Sequence, residues 1–219
     1  MDGTMKKFTL IELLVVITII GILSSMILPA VSKARAKGIQ TFCLNNTRQV
    51  TLASISYADD NNGLGPEEIS WNKGEKWYNR LIPSYLPGNG IEDGSSPATT
   101  CPSGKEVTKY NHATIAMNGW ISGKPNWNNS KWVPQPMHAA VSPFETSVVM
   151  DSYDTWSSLK SGNANPNYTL DADPEQRIAR HQEKLNVSYI DGHAASMTGL
   201  LLISKSNNDN SIFWHPSPP

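Results

Sequence analysis

The chain has 219 residues, which is enough for one ordinary domain with an appendage and too short for two large domains. Its 18 basic and 19 acidic side chains give a formal net charge of −1, so no overall positive field points to nucleic acid. Apolar residues are unevenly distributed: 16 of the 23 residues from 8 to 30 are apolar, and that stretch contains one charged side chain, Glu12. An apolar N-terminal segment joined to a polar body argues against a simple cytosolic enzyme.

Residues 8–28 form an apolar segment of 21 residues. At about 1.5 Å per residue, a helix of this length reaches ~31 Å, the thickness of the hydrocarbon core of a bilayer. It exceeds the apolar region of a typical signal peptide, which has about 7–15 residues. A cleaved secretory signal, cut near residues 34–36, and a plain single-pass anchor both stay open at this point.

Glu12 suits neither of these alternatives. A carboxylate inside an apolar membrane helix costs a few kcal/mol on insertion scales, so an unpaired Glu12 is disfavoured. An amino terminus created just before Phe8 on another copy of the chain would neutralise it, if helices packed side by side with a stagger along one axis. This hypothesis requires cleavage between Lys7 and Phe8 and points to self-assembly.

The residues around Glu12 resemble the N terminus of type IV pilins and type II secretion pseudopilins; they read KKFTLIELLVVITIIGILSSMILPAVSKARAK. In that family a prepilin peptidase cuts before the Phe and methylates the new amino terminus, and the Glu four residues later makes the contact between subunits during assembly. The resemblance implies cleavage between Lys7 and Phe8, N-methylation of Phe8 and an assembly role for Glu12. It also implies that Gly21 and Pro29 weaken or kink the helix. The family usually has Gly immediately before the Phe, where this sequence has Lys7.

Beyond the apolar segment, the pattern predicts that the helix continues to about Asp59. Apolar residues recur at spacings of three and four, and Pro29 is the only proline before Pro66. These apolar residues are Ile39, Cys43, Val50, Ala53 and Tyr57. The outer half of the helix is expected to place this face against a globular domain. The cluster Asp59–Gly63 favours a turn that ends the helix, with a calcium site as the alternative.

Extended runs at 113–117, 146–150 and 186–190 predict strands. Asp191-Gly192 and a further run at 193–197 follow the last of them, which predicts a hairpin with a two-residue turn. We therefore expect an α+β, pilin-like fold, in which a long N-terminal helix spans the membrane with its first half. Its second half packs on a small antiparallel sheet.

The chain is expected to divide into five segments. They are a leader peptide at 1–7, a transmembrane and assembly helix at 8–30, the helix continuing into the globular domain at 31–60, an extracytoplasmic α+β domain at 61–203, and a loose C-terminal tail at 204–219.

Cys43 and Cys101, the two cysteines of the chain, are 58 residues apart. In an oxidising compartment a disulfide between them would contribute roughly 4 kcal/mol in the chain-entropy model, with two buried free thiols as the alternative. Two separated thiols do not predict a metal, since a structural zinc site takes four ligands.

His181 is followed by nine residues and then by Asp191-Gly192. This spacing resembles the H-x9-D-G signature near the C terminus of a large set of pilin-like proteins with this type of leader. We expect His181 to brace the strand that it precedes, while Asp191 and Gly192 form the tight turn. A metal or catalytic role for His181, Asp191 and His193 is the alternative.

The sequence contains no H-E-x-x-H pattern, no G-x-S-x-G elbow and no Gly-rich phosphate loop, so we expect neither an enzyme nor a cofactor. The predicted function is that of a structural subunit of a type II secretion pseudopilus or a related filament. The resemblance implies as partners other copies of the chain, prepilin peptidase and an assembly platform in the cytoplasmic membrane. It also places the globular domain outside the cytoplasm.

Seven tryptophans leave a second function open. Trp127 and Trp132 stand in a polar context that favours a loop, and exposed aromatic rings there would suit a membrane-anchored surface protein that binds glycan or a partner protein. The alternative is that the rings fill the core of a small domain.

Overall fold

The structure is a computed structural model that describes eight parts of the chain. They are residues 9–66, 77–88, 96–103, 114–122, 136–152, 158–159, 179–206 and 212–213. The chain divides into two compact units, Met1–Gly38 and Ile39–Pro219. The predicted segment boundaries at residues 7 and 30 concern cleavage and membrane insertion, and they stay predictions.

A single α-helix, α1, runs from Leu10 to Asp60 and includes Pro29. It ends where the sequence predicts, because Asn62 and Gly63 adopt left-handed backbone conformations with φ of 56° and 80°. The amide of Gly63 donates to the carbonyl of Ala58 at 2.7 Å, which closes the last turn.

In the first unit, the large apolar side chains of α1 are exposed from Leu10 to Val31. Within the described residues, this helix contains a stretch long and apolar enough to cross a membrane, and none of that stretch is buried. By length and composition it is therefore able to anchor the chain in a membrane.

The second unit contains a five-stranded sheet in the order β3-β1-β2-β4-β5. The strands are β1 (Ile115–Asn118), β2 (Ser147–Asp151), β3 (Ser158–Leu159), β4 (Lys184–Tyr189) and β5 (Ala194–Thr198). Strands β1, β2, β4 and β5 pair antiparallel and overlap the predicted runs with bounds shifted by one or two residues, while β3 pairs parallel to β1 at the edge. The α+β, pilin-like fold class is thereby confirmed.

The face of α1 that is buried in the second unit consists largely of small and polar side chains. They are Gln40, Cys43, Asn46, Thr47, Val50, Thr51, Ala53, Ser54 and Ala58. Gln40 donates from Nε2 to the hydroxyl of Ser196 on β5 at 3.0 Å, and Thr51 and Ser188 on β4 share a hydrogen bond. The polar amide of Gln40 can be buried because it has this partner across the contact.

Alternate residues of each strand face the two sides of the sheet. Ile115 and Met117 of β1 belong to an apolar cluster that includes Val50 of α1. Leu185 and Val187 of β4 belong to a second cluster. That cluster also includes Leu202 of a helix, α4, at Gly199–Ser206; two shorter helices, α2 (Trp77–Leu81) and α3 (Gly119–Ser122), precede it.

The segment that was expected to form a loose tail from residue 204 contains two ordered features, the end of a helix and a buried aromatic residue. Helix α4 continues to Ser206, and Phe213 is buried. The carbonyl of Phe213 accepts hydrogen bonds from the amide of Ser147 at 2.9 Å and from its hydroxyl at 2.8 Å. The aromatic ring covers apolar surface of the second cluster, including Tyr189, that would otherwise face water.

The β4–β5 hairpin is present, but the predicted two-residue turn is wrong because four residues, 190–193, connect the strands. The amide of Gly192 donates a hydrogen bond to the carbonyl of Tyr189. The backbone of Gly192 is in the left-handed region, with φ of 85°. A Cβ atom at Gly192 would lie 3.3 Å from Cδ2 of Leu52 on α1. Backbone conformation and contact with α1 therefore both favour glycine.

Replacing Gly192 with alanine should lower the free energy of unfolding by about 1–3 kcal/mol, because a side chain at this φ is strained. The measurement is urea unfolding of the detergent-solubilised protein followed by tryptophan fluorescence. Gly38→Ala serves as the control, since a Cβ atom there meets nothing within 4 Å. It should leave the midpoint unchanged or raise it. Equal midpoints for the wild-type and Gly192→Ala proteins would contradict the role of this glycine.

Candidate functional site

Thr9 and Glu12 form a capping box at the start of α1. The carboxylate Oε2 of Glu12 accepts hydrogen bonds from the amide of Thr9 at 2.8 Å and from its hydroxyl at 2.7 Å. In return, the amide of Glu12 donates to the Thr9 hydroxyl at 3.3 Å. The T-x-x-E spacing that predicts this arrangement is visible in the sequence, but sequence reasoning missed it.

The capping box gives Glu12 hydrogen-bond partners within its own chain. These bonds reduce the number of unsatisfied polar groups that the start of α1 would carry into a membrane. One carboxylate oxygen accepts both bonds, so the carboxylate retains capacity for a further partner. The described geometry therefore suits both helix capping and a contact with another molecule.

The other predicted residues of this segment are placed only in part. Lys7 and Phe8, the expected cleavage and methylation sites, lie outside the described residues. Gly21 and Pro29 lie inside the continuous helix α1, and a Cβ atom at Gly21 would meet nothing within 4 Å. Their role in weakening or kinking the helix stays a prediction.

A second candidate site lies in the second unit, where Cys43 of α1 and Cys101 form a disulfide with a Cα–Cα distance of 5.3 Å. Both residues are buried. Asn46, one helical turn beyond Cys43, donates from Nδ2 to the carbonyl of Pro97 at 2.8 Å and to that of Thr100 at 3.0 Å. The disulfide and Asn46 together hold the segment around Cys101 against α1.

His181 lies beside the disulfide, with Nε2 3.5 Å from Sγ of Cys101. The same nitrogen is 3.6 Å from Oδ2 of Asp151 at the end of β2. A tight turn positions the histidine: its backbone exchanges two hydrogen bonds with Lys184, and Gln182 and Glu183 between them both have positive φ. Positive φ at both central residues is typical of a type I′ turn, which usually carries Asn or Gly, so Gln and Glu at these positions do not predict it.

Asp151 and Arg180 complete the charged surroundings of the histidine. The Asp151 carboxylate is buried; its Oδ2 accepts from the amide of Asn186 at 2.7 Å, and its Oδ1 has no partner among the described residues. Arg180 donates from Nη2 to the carbonyls of Thr114 and Ser152. Burial raises the pKa of Asp151, although the charges of Arg180 and His181 oppose this shift.

Burial lowers the pKa of His181 as well, with the Asp151 carboxylate opposing the shift. The neutral imidazole is therefore favoured, and this form has one ring nitrogen free to accept a hydrogen bond or bind a metal. Sequence reasoning singled out His181 and both cysteines, but it missed Asp151 and Arg180 as members of the same cluster.

The residues of the H-x9-D-G motif do not form one site, since His181 precedes β4 and Asp191 and Gly192 follow it. At the far end, Oδ1 of Asp191 is 2.6 Å from Nδ1 of His193, whose ring stacks on Tyr189 at 4.3 Å. This separation excludes a single metal or catalytic site built from His181, Asp191 and His193. Asp191 and Gly192 lie in the connection between β4 and β5, and the expected bracing role of His181 stays a prediction.

Among curated proteins, the chain is similar to fimbrial protein EcpC of Eikenella corrodens, with 28% identity over 147 residues. The alignment covers 64% of this chain and 95% of that protein. No protein-family model and no solved structure matches the chain. The similarity to a fimbrial protein and the exposed apolar helix together support a pilin-like protein.

Loss of the disulfide should lower the free energy of unfolding of the second unit by about 2–5 kcal/mol, because the unfolded chain gains freedom. The double variant Cys43→Ser/Cys101→Ser removes the bond without leaving a lone thiol. Urea unfolding with and without a thiol reductant provides the measurement. The reductant should lower the unfolding midpoint of the wild type and leave that of the variant unchanged. A wild-type midpoint that does not change with the reductant and equals that of the variant would contradict this role.

Proposed function

We propose that this protein is a structural subunit of a pilus-like filament, most specifically of a type II secretion pseudopilus, and that it has no enzymatic activity. The proposal rests on the part of α1 that lies in the first unit. This part has an exposed apolar surface that contains one carboxylate, Glu12. A surface of this kind is not stable in water, so it requires lipid or other apolar helices around it. The similarity to a fimbrial protein supports an environment of other apolar helices.

Glu12 would determine how neighbouring helices are staggered. In a bundle of apolar helices, many offsets bury similar apolar area, so hydrophobic contact alone does not select one. A carboxylate changes this, because offsets that leave it without a positive partner carry the cost of an unpaired buried charge. An amino terminus on the neighbouring copy is the partner that the proposal assigns.

Cleavage between Lys7 and Phe8 would create that amino terminus. Phe8 immediately precedes Thr9, the N-cap of α1, so the new positive charge would lie beside the positive end of the helix dipole. A carboxylate from another copy relieves this unfavourable interaction. In this proposal prepilin peptidase cleaves the chain and methylates Phe8, and an assembly platform in the cytoplasmic membrane extracts the subunit.

The proposal places the second unit outside the cytoplasm, with the apolar first part of α1 as a single membrane span before assembly. The disulfide between Cys43 and Cys101 supports this location, since disulfides persist in oxidising compartments.

The glycan-binding alternative lacks a supporting contact among the described residues. Trp77 is fully buried and Trp120 packs beside the second apolar cluster, so these two rings serve the core. Trp127 and Trp132, on which the alternative depended, lie outside the described residues. We therefore propose no second function.

Variants of Glu12 separate its charge from its capping role. Glu12→Gln keeps the hydrogen bonds of the capping box and removes the charge, whereas Thr9→Ala keeps the charge and removes a cap worth about 1 kcal/mol. We expect Glu12→Gln to insert in the membrane and to be lost from sheared filaments, like Glu12→Ala, while Thr9→Ala is incorporated at reduced yield. Immunoblots of membrane and filament fractions measure both properties. Wild-type incorporation of Glu12→Gln would rule out a role for the charge.

Mass spectrometry of the mature protein tests the processing step. The expected N terminus is Phe8 carrying one methyl group, as implied by the pilin-type leader. A mature protein that begins at Met1 or Met5 would reject the assembly mechanism proposed for Glu12, because no amino terminus would lie beside it.

A further inference from the structure

Four side chains with metal-binding atoms converge inside the second unit, and the proposed filament assembly assigns no role to them. Sγ of Cys43, Sγ of Cys101 and Nε2 of His181 lie within 4.8 Å of one another. Oδ2 of Asp151 is 3.6 Å from the same nitrogen. At most 5% of each residue is exposed. The four come from separate segments: α1, the residues after the Pro97–Thr99 turn, the end of β2 and the turn before β4.

We propose that, when the two thiols are reduced, these side chains bind a thiophilic divalent cation, with zinc as the expected ion. The disulfide and the metal-bound dithiolate are then two alternative states of one site. This inference is independent of the proposed filament function, because it concerns the second unit alone.

The distances agree with tetrahedral coordination. Bonds of about 2.3 Å from zinc to sulfur and about 2.0–2.1 Å from zinc to nitrogen place a sulfur and a nitrogen of the same tetrahedron roughly 3.5 Å apart. Nε2 of His181 is already 3.5 Å from Sγ of Cys101. Metal binding also requires the two sulfur atoms to separate once their covalent bond is broken.

Asp151 provides an independent indication of a missing ligand. Its carboxylate is fully buried, yet Oδ1 has no hydrogen-bond partner among the described residues. A buried carboxylate oxygen without a partner is costly, and a bound cation would satisfy it. The orphaned oxygen belongs to the same carboxylate that contacts His181.

The charges of the cluster also favour a divalent ion. With the disulfide formed, the charged groups of the cluster are the Asp151 carboxylate and the half-buried guanidinium of Arg180, which attract each other. Reduction followed by ionisation of both thiols would add two uncompensated negative charges to this interior. A divalent cation restores the balance, so both states of the site have the same net charge.

The two states interconvert by thiol–disulfide exchange with a small disulfide as oxidant. One cysteine thiolate attacks the small disulfide, breaks its S–S bond, releases one small thiolate and forms a mixed disulfide. The other cysteine thiolate then attacks the protein sulfur of the mixed disulfide, which forms the Cys43–Cys101 bond and releases the second small thiolate. The products are the protein disulfide, two small thiolates and the free zinc ion. The reverse reaction consumes two small thiolates and one zinc ion.

Cobalt titration of the full-length protein in detergent tests the site. The protein is reduced with a phosphine, freed of reductant without oxygen, and titrated with Co²⁺ and then Zn²⁺. We expect one equivalent of Co²⁺ to give thiolate-to-cobalt charge-transfer absorption and the intense visible bands of a tetrahedral complex. Zn²⁺ should abolish both signals, and the oxidised protein should show neither. A reduced protein without these bands, or an oxidised protein that shows them, would overturn the proposal.

Variants test the contributions of the histidine and the carboxylate. His181→Ala and Asp151→Asn should each weaken Co²⁺ binding at least about tenfold and change the visible bands. His193→Ala removes a half-exposed histidine at the other end of β4 and should leave the titration unchanged. Tryptophan fluorescence verifies that each variant is folded. Should Asp151→Asn fail to fold, His181→Ala together with the wild-type comparison decides the question. Unchanged binding in a folded His181→Ala protein would overturn the four-ligand site.

Discussion

The structure depends on an apolar surface that the described chain does not bury. From Leu10 to Val31, the large side chains of α1 are exposed, and the only charge in the apolar run is Glu12. Burying such a surface is favourable by roughly 25 cal/mol per Å², so it acts as a strong drive toward lipid or toward other helices. The hydrogen bonds between Thr9 and Glu12 lower the cost of placing this carboxylate in an apolar environment, since the start of the helix then carries fewer unsatisfied polar groups.

The second half of the same helix meets the opposite requirement. In the second unit, α1 contacts the sheet through hydroxyl, amide and small apolar groups, and hydrogen bonds such as Gln40 to Ser196 satisfy the polar atoms there. One helix therefore has bulky apolar side chains where it is exposed and small, paired side chains where it is buried. Because of this contrast, the average composition of the chain resembles that of an ordinary soluble protein, whereas the local distribution of apolar residues distinguishes the two halves of the helix.

Features set by local periodicity could be predicted from the sequence, and features set by long-range contacts could not. The length of α1 and the positions of four strands follow from spacing and from turn residues at their ends. Strand β3 has two residues, too few for a pattern. Asp151 joins His181 only through the fold, and nothing in its sequence neighbourhood marks it. Arg180 directly precedes His181 in the chain, but its contacts with the carbonyls of Thr114 and Ser152 depend on the fold. The pairing of the two cysteines could be proposed from the sequence. The position of His181 beside them could not, because it is 80 residues from Cys101 and is set by the turn at Gln182-Glu183.

The structure gives a physical reason for the spacing between His181 and Asp191-Gly192. The residues that flank strand β4 lie near α1 at both ends: His181 is beside the Cys43–Cys101 disulfide, and Gly192 is close to Leu52. Between these points, alternate residues face α1, and Ser188 pairs there with Thr51. One inserted residue would place the side chains that now face α1 on the opposite side of the sheet. It would also move one end along the strand by about 3.3 Å. A fixed interval of nine residues therefore keeps the buried cluster and the glycine turn in register with the same helix.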